Sequence, residues 1–196
     1  MRVASNVAAL GLLGAPIGRT SALLFGLAGF VLGVVHAIAV VGTDSYDHDR
    51  RGIWLFVVDH TWSLPNTVLG SLFLALNLIF RNPPDRAQSE HRSTVVLRGG
   101  LLPGFATTIG NVEAGTSKHT SQHEYVHVLQ ARIFGPAYVP LVIVNYVLAT
   151  IFPYWLLYHD HKSRPIRTVR DYFVRGVYPH TWHEEWAYAV QGSPPS

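Results

Sequence analysis

Two histidines and a glutamate near the middle of the chain have a spacing that can bind and use a divalent metal ion. The segment His123-Glu124-Tyr125-Val126-His127 reads H-E-x-x-H and lies in a predicted helix. Residues four apart share one face of a helix, so both imidazoles can occupy neighbouring corners of a zinc tetrahedron. Glu124 lies beside them, where a carboxylate can accept a proton from the metal's water molecule and deliver it to a leaving group. The pattern therefore predicts a zinc site with Glu124 as its catalytic base.

The same residues also fit a purely structural role. Ser121-Gln122-His123-Glu124 reads S-x-x-E, the pattern of a capping box in which Glu124 bonds the backbone at the start of the helix. The two histidines would then be solvated surface residues. The direction of the Glu124 side chain decides between these two interpretations.

A zinc site of this type needs a third protein ligand, with water in the fourth position. The downstream segment Trp182–Ala187 reads WHEEWA and contains two carboxylates. Here the chain resembles gluzincin-type metallopeptidases, which take two His from H-E-x-x-H and a Glu from a later helix, often as E-x-x-A. The resemblance implies Glu184 as the third metal ligand, because Ala187 follows it at the matching distance. Glu185 is the reserve candidate, and an acidic helix with only a structural role is the alternative.

A closer resemblance is to small bacterial proteins that read H-E-Y-G-H-x-x-Q, followed by G-P-x-Y-x-P. The corresponding segments here are HEYVHVLQ at residues 123–130 and GPAYVP at residues 135–140. The similarity runs from Thr107 to the helix around Glu184, and it leaves residues 1–80 outside. It implies a small zincin-like α+β portion. One departure is Val126, where those proteins usually have Gly, and a β-branched side chain there can crowd whatever packs against the helix.

Other histidines are candidates for secondary roles. We expect the His-Asp-His pair His159 and His161 to lie at a membrane interface rather than on a metal. Three more can support the metal ligands, or replace one of them if the acidic helix is wrongly assigned; these are His119, His180 and His183.

One histidine, His36, lies inside the first long apolar run. A histidine in a membrane span is a functional candidate, for example as a ligand to a pigment magnesium or a haem iron. The alternative is a hydrogen bond between two helices.

Three long uncharged runs predict contact with a membrane. The first has 24 residues between Arg19 and Asp44, enough to cross about 30 Å of hydrocarbon as a helix. It is longer than the apolar part of a signal peptide, so we expect an uncleaved anchor. A second run of 20 residues, Thr61 to Phe80, also predicts a spanning helix. The third, Ile133 to His159, contains three prolines, which predict a broken or re-entrant segment.

The predicted fold is mainly α: a polytopic membrane protein with two transmembrane helices, the broken apolar segment and the small zincin-like portion. Two short strands are expected between Thr94 and Ala114. We predict two domains, a membrane anchor over residues 1–81 and a zincin-like H-E-x-x-H domain over residues 82–196. The bent apolar segment 133–159 belongs to the second.

The overall composition excludes several classes of protein and several kinds of chemistry. With 48% hydrophobic and 14% charged residues, the chain is too apolar for a disordered protein. Its net charge of +3 is small, and the basic residues are scattered, which argues against a nucleic-acid-binding surface. The expected anionic neighbours are lipid head groups. The absence of cysteine excludes disulfides, cysteine-bound zinc, iron–sulfur clusters and thiol nucleophiles.

The Lys and Arg content of short loops predicts the orientation. Arg2 and Arg19 precede the first span, and residues 81–132 contain five Arg and one Lys, whereas the loop after the first span is rich in Asp. We therefore expect the amino terminus and residues 81–132 on the cytoplasmic side of a bacterial inner membrane, with that loop opposite. The metal site would face the cytoplasm.

These features predict a membrane-embedded zinc metallopeptidase-like hydrolase that cleaves amide bonds. Its expected partners are membrane lipids and a peptide or small amide substrate. The alternative is a non-catalytic accessory or structural subunit of a larger bacterial membrane complex, photosynthetic or respiratory, that retains a zincin-like fold. A third hypothesis is a zinc site that only stabilises the fold.

Overall fold

The computed structural model describes residues 2–102 and 104–192. Over these residues the fold is mainly helical with a few short strands, as predicted. By its internal contacts the chain divides into two compact units, Met1–Pro136 and Ala137–Ser196. The predicted domain division at residues 81/82 separates an anchor from a site-bearing part by role, so it stays a prediction. Its outer ends, Met1 and residues 193–196, lie outside the described residues.

Helices make up most of the first unit. They are α1 Arg2–Gly14, α2 Arg19–Thr43, α3 Arg50–His60, α4 Leu64–Ile79, α5 Arg86–Ser89 and α6 Ser121–Phe134, with short 3-10 turns at Ala15–Ile17 and Gly135–Ala137. The first two helices pack closely, because a Cβ on Gly29 of α2 would lie only 2.3 Å from the carbonyl oxygen of Asn6. Any larger residue at Gly29 would push α1 away from α2.

A small mixed sheet lies beside the helices. Its strands are β1 Val95–Leu97, β2 Thr107–Ile109 and β3 Val112–Ala114, and their order within the described residues is β1-β3-β2. β1 runs parallel to β3, and β2 forms an antiparallel hairpin with β3. The prediction of short strands in this segment is confirmed and extended by one strand. The apolar side chains of β1 and β3 are buried together with Leu74 of α4.

Two helical segments in the described residues are long and apolar enough to cross a membrane. They are Arg19–Thr43 and the 31-residue stretch Ser121–Ile151. The first is the predicted span. The second begins at the H-E-x-x-H motif and continues through α7, Tyr138–Ile151.

The run at residues 133–159, predicted to be broken or re-entrant, consists of several helical pieces: the end of α6, the 3-10 turn Gly135–Ala137, α7 and a further 3-10 turn at Tyr154–Leu157. Pro136 lies in the 3-10 turn and Pro140 in the first turn of α7, where a missing backbone N–H costs no helical hydrogen bond. Only Pro153 lies beyond the helix end at Ile151. The prolines therefore mark helix starts and one stop, and they do not interrupt α7.

The second predicted span also differs from the structure. Helix α4 has only 16 residues, and α3 and α4 form an apolar pair that bends by 88°. Such a pair is either a broken span or a re-entrant loop. Its bend follows Thr61 and precedes Pro65, which lies in the first turn of α4.

Backbone and side-chain contacts join the loop after α2 to the segment before β1. His91 N–H donates to the carbonyl oxygen of Asp44, and Ser93 N–H donates to that of Ser45. The imidazole of His91 lies 2.5 Å from the carboxylate of Asp47. The charge pattern predicted that these segments lie on opposite sides of a membrane. The two segments touch, so they lie on one side of any membrane that α2 crosses, and the side that each faces stays a prediction.

A buried ion pair fastens α6 to α3. Arg132 donates from Nε and Nη2 to the two carboxylate oxygens of Asp59, over 2.9 and 2.8 Å. Tyr46 donates its hydroxyl to the same carboxylate. Asn66 of α4 donates to the carbonyl oxygens of Ala131 and Gly135 at the end of α6. These bonds fix the helix that carries the H-E-x-x-H motif.

The second unit continues from α7 with shorter helical pieces. They are the 3-10 turns Tyr154–Leu157 and Tyr178–His180, α8 Val169–Asp171, a π-helical segment Tyr172–Val177 and α9 Trp182–Gln191. Its buried core consists of Ala149, Trp155 and Val177. Helix α9 carries Glu184 and Glu185, the two carboxylates that the sequence analysis considered as metal ligands.

Candidate metal centre

The two histidines of the motif point toward one place. His123 and His127 lie one turn apart on α6, and both are buried. Their Nε2 atoms are 3.2 Å apart. Two nitrogens bound to one tetrahedral zinc at about 2.0–2.1 Å would be separated by about 3.3–3.4 Å. The spacing of the two nitrogens therefore fits a shared metal ion.

A neighbouring glutamine sets the tautomer of one imidazole. Nδ1 of His127 lies 3.0 Å from Oε1 of Gln130, which is fully buried on the same helix. When Nδ1–H donates to this oxygen, the lone pair of Nε2 is directed away from Gln130 and is available to a metal. Gln130 is the last residue of the HEYVHVLQ segment and follows His127 by three residues. Residues at this spacing lie on the same face of a helix, which brings the two side chains together.

Glu184 completes a group of possible ligands. One ligand atom from each of His123, His127 and Glu184 lies within 4.8 Å of the others, and all three residues are buried. Two imidazoles and a carboxylate are a donor set that zinc accepts. This group could hold a metal ion.

The two residues on either side of Glu184 are Glu185 and His183, and each makes contacts of its own. Glu185 is only partly buried, and its Oε1 accepts a hydrogen bond from the Tyr158 hydroxyl over 2.9 Å. His183 is buried, with Nε2 3.7 Å from Glu184 and its ring edge-on to Tyr146. The structure thus includes Glu184 in the group, whereas the reserve candidate Glu185 contacts Tyr158.

Glu124 is not part of a capping box at Ser121. The N-cap residue of α6 is Thr120, whose side chain makes no cap hydrogen bond, and Ser121 N–H donates to Ser117. Glu124 instead accepts a hydrogen bond at Oε2 from the Thr108 hydroxyl over 2.7 Å. The carboxylate is therefore directed toward strand β2, and its role as catalytic base stays a prediction.

Sequence reasoning missed a second buried carboxylate nearby. Glu113 of β3 has no exposed surface, and Arg92 donates to both of its carboxylate oxygens over 3.3 and 2.9 Å. Burial raises the pKa of the Glu113 carboxyl to about 7; Arg92 opposes this shift, and the charge of Glu124 adds to it. The available signal was an acidic residue between Val112 and Ala114 in an apolar strand.

His36 lies in a polar cluster inside the first unit. Its Nδ1 is 2.7 Å from the Ser71 hydroxyl of α4, and its Nε2 is 3.3 Å from the Asn111 amide. Both ring nitrogens thus have partners on other elements. This arrangement favours the predicted alternative of a hydrogen bond between helices over a pigment or haem ligand.

The remaining histidines stand apart from this group of ligands. His119 is exposed, His161 is exposed, and His159 is buried with Nε2 2.7 Å from the Arg164 carbonyl oxygen. His180 is buried, and its Nδ1 lies 2.7 Å from the Gly176 carbonyl oxygen. Burial lowers the pKa of His180 below its ordinary value. Neither His159 nor His180 is among the residues whose ligand atoms converge.

Comparison with known protein families, with curated proteins and with solved structures finds no match for this chain. The resemblance to gluzincins and to the small H-E-Y-G-H-x-x-Q proteins therefore stays a prediction.

Proposed function

We propose that this protein is a membrane-embedded, zinc-dependent hydrolase that cleaves amide bonds in a gluzincin-like manner. The observation that supports it most is the buried group of His123, His127 and Glu184, with ligand atoms within 4.8 Å of one another. An acidic residue follows His123 directly, where a general base is needed. The three candidate ligands and Glu124 are the residues that this chemistry requires.

In this proposal each residue has one task. His123, His127 and Glu184 hold the zinc ion, which when bound lowers the pKa of a water molecule to about 7 and polarises the substrate carbonyl. Glu124 takes the proton from the attacking water and passes it to the nitrogen of the leaving amine. Gln130 keeps His127 in the tautomer that a metal ligand requires.

The setting that we propose is a bacterial inner membrane, with the site at its cytoplasmic face. Two helices long and apolar enough to cross a membrane support this setting, and one of them begins with the H-E-x-x-H motif. The start of a membrane-spanning helix lies near the membrane surface, and so does a site built there. The proposed substrates are accordingly peptides near that surface or small amide-bearing molecules.

Metal analysis combined with Glu124→Gln tests the proposal. We expect the purified protein to hold about one zinc ion per chain. Glu124→Gln should keep the metal and abolish cleavage of a quenched fluorescent peptide library, because the amide cannot accept the proton. His123→Ala should lose both. The matched control is Glu185→Gln, which alters the adjacent carboxylate and should keep zinc and cleavage.

Two other outcomes would contradict the hydrolase. Protein that holds no zinc and is always extracted with a larger complex would favour the accessory-subunit hypothesis. Protein that holds zinc, cleaves nothing in the library and unfolds on chelation would favour a site with a structural role only.

A further inference from the structure

The hydroxyl of Thr108 restrains the carboxylate of Glu124. Thr108 lies on β2, an edge strand, and its hydrogen bond to Oε2 of Glu124 crosses from the sheet to α6. At 2.7 Å it has the usual length of a hydrogen bond from a hydroxyl to an oxygen acceptor. Hydrogen bonds to ionised groups are roughly twice as strong as those between neutral groups. One side chain on the sheet thus limits how the carboxylate can rotate.

The strand register places Glu113 beside this bond. Thr108 and Glu113 are directly opposite each other in the β2–β3 hairpin. Directly paired residues present their side chains on the same face of a sheet. The face of the hairpin that carries Thr108 therefore also carries Glu113, which interacts electrostatically with Glu124.

Arg92 ties that face of the sheet to the first turns of α6. Besides its two bonds to Glu113, the guanidinium donates to the hydroxyl and to the carbonyl oxygen of Ser121, the first residue of the helix. It also lies over the ring of Tyr125, 5.4 Å from the ring centroid. The strand and the helix turn that carry Thr108 and Glu124 are thus held at a fixed separation.

We infer that Thr108 is a positioning residue for Glu124, and that the Arg92–Glu113 pair holds the frame in which the two meet. The inference rests on the proposed function, in which Glu124 moves the proton. In this role Thr108 acts through the direction of the Glu124 carboxylate. Its loss should impair proton transfer and leave metal binding intact.

A double-mutant cycle between Thr108→Val and Glu124→Ala tests the contact without any metal. Valine has nearly the shape of threonine and lacks the hydroxyl. We expect the unfolding equilibrium constants, measured by tryptophan fluorescence in detergent micelles, to show a coupling of about tenfold. Thr107→Val is the matched control, because Thr107 lies on the same strand, pairs with Ala114 and faces the other way. A coupling no larger than that of the control would overturn the inference.

The cobalt(II)-loaded full-length protein tests the role of the contact. Its visible spectrum changes with pH, and the pH at the midpoint of this change reports an ionisation at the metal. That midpoint depends on the neighbouring Glu124 carboxylate. We expect Thr108→Val to shift this midpoint in the same direction as Glu124→Gln, with unchanged cobalt affinity. Thr108→Ser should restore the wild-type midpoint, and Thr107→Val should not move it.

The outcomes separate this inference from the proposed function. If Glu124→Gln shifts the midpoint and Thr108→Val does not, Thr108 is not a positioning residue although the hydrolase proposal survives. If no cobalt is bound, or if Glu124→Gln has no effect, the proposed function fails and the positioning role fails with it. The cycle alone would then show whether the two side chains are bonded for structural reasons.

Discussion

Glu113 shows how a single buried charge can be tolerated and still influence its surroundings. A carboxylate without exposed surface is costly unless it is paired, and Arg92 supplies two hydrogen bonds from its guanidinium. The pairing does not fully offset burial, because the pKa of Glu113 is raised from 4.5 to about 7. Near neutral pH the folded protein therefore binds a proton that the unfolded chain releases.

This proton makes stability depend on pH. Below pH 4.5 both states hold the proton, and above pH 7 neither does, so only the folded state holds it in between. The free energy of unfolding should fall as the pH rises through that window. Glu113→Gln cannot titrate, so the difference between wild type and variant should change across the window. Denaturant unfolding at several pH values measures it, with the exposed Glu90→Gln as control. Parallel pH profiles for wild type and Glu113→Gln would refute the expectation.

At the scale of elements, the β2–β3 hairpin connects the site to α4. The hairpin turns at Gly110, which has φ of +60°, and a Cβ there would lie 2.2 Å from the carbonyl oxygen of Asn66. Asn66 in turn donates to carbonyl oxygens at the end of α6. One glycine thus permits the contact that keeps Thr108, α4 and the motif helix together.

Gly110→Ala should therefore destabilise the protein. A non-glycine residue with positive φ costs about 1–3 kcal/mol, and the clash with Asn66 adds to it. Denaturant unfolding in micelles measures the loss. Gly42→Ala is the control, since a Cβ at Gly42 of α2 meets nothing within 4 Å, and it should be neutral or slightly stabilising. Equal stability of the two variants would mean that α4 and the hairpin can separate without cost.

At the scale of the whole molecule, the contacts between the loop after α2 and residues 91–93 restrict the topology. If α2 crosses a membrane, the loop at its end lies opposite the turn that precedes it. Residues 91–93 touch this loop, so they share its side. The bent pair α3–α4 lies between these two segments in the chain, and it must then enter and leave by the same face. A re-entrant pair is the geometry that satisfies both conditions.

Cysteine labelling can test this sidedness cleanly, because the chain has no cysteine of its own. We expect single variants His48→Cys and Lys118→Cys to react with an impermeant maleimide from one face. Ala15→Cys, in the turn before α2, should react from the other. If the metal site faces the cytoplasm, the first two will react in inverted vesicles and not in intact cells. Labelling of Ala15→Cys and Lys118→Cys from one face would restore the topology that the charge pattern predicts.

Local patterns in the sequence were enough to predict local structure. The helix repeat placed His123 and His127 on one face, because a spacing of four residues fixes their relative direction within any helix. The uncharged run after Arg19 predicted the helix Arg19–Thr43, since its length and composition leave few other structures. The third apolar run was expected to form broken pieces, and it does so, but proline has opposite effects inside a helix and in its first turn, so the sequence did not show where each piece begins.

Long-range properties needed the tertiary structure. The sequence alone determined the helical pair of imidazoles, the apolar character of the long helices and the exclusion of cysteine chemistry, because each depends on neighbours within a few turns or on composition. Only the fold decided that Glu184 joins the group of possible ligands, that Thr108 holds Glu124, and that residues 44–47 meet residues 91–93. Those contacts join residues far apart in the chain, and their free energy depends on packing and burial that no local spacing encodes.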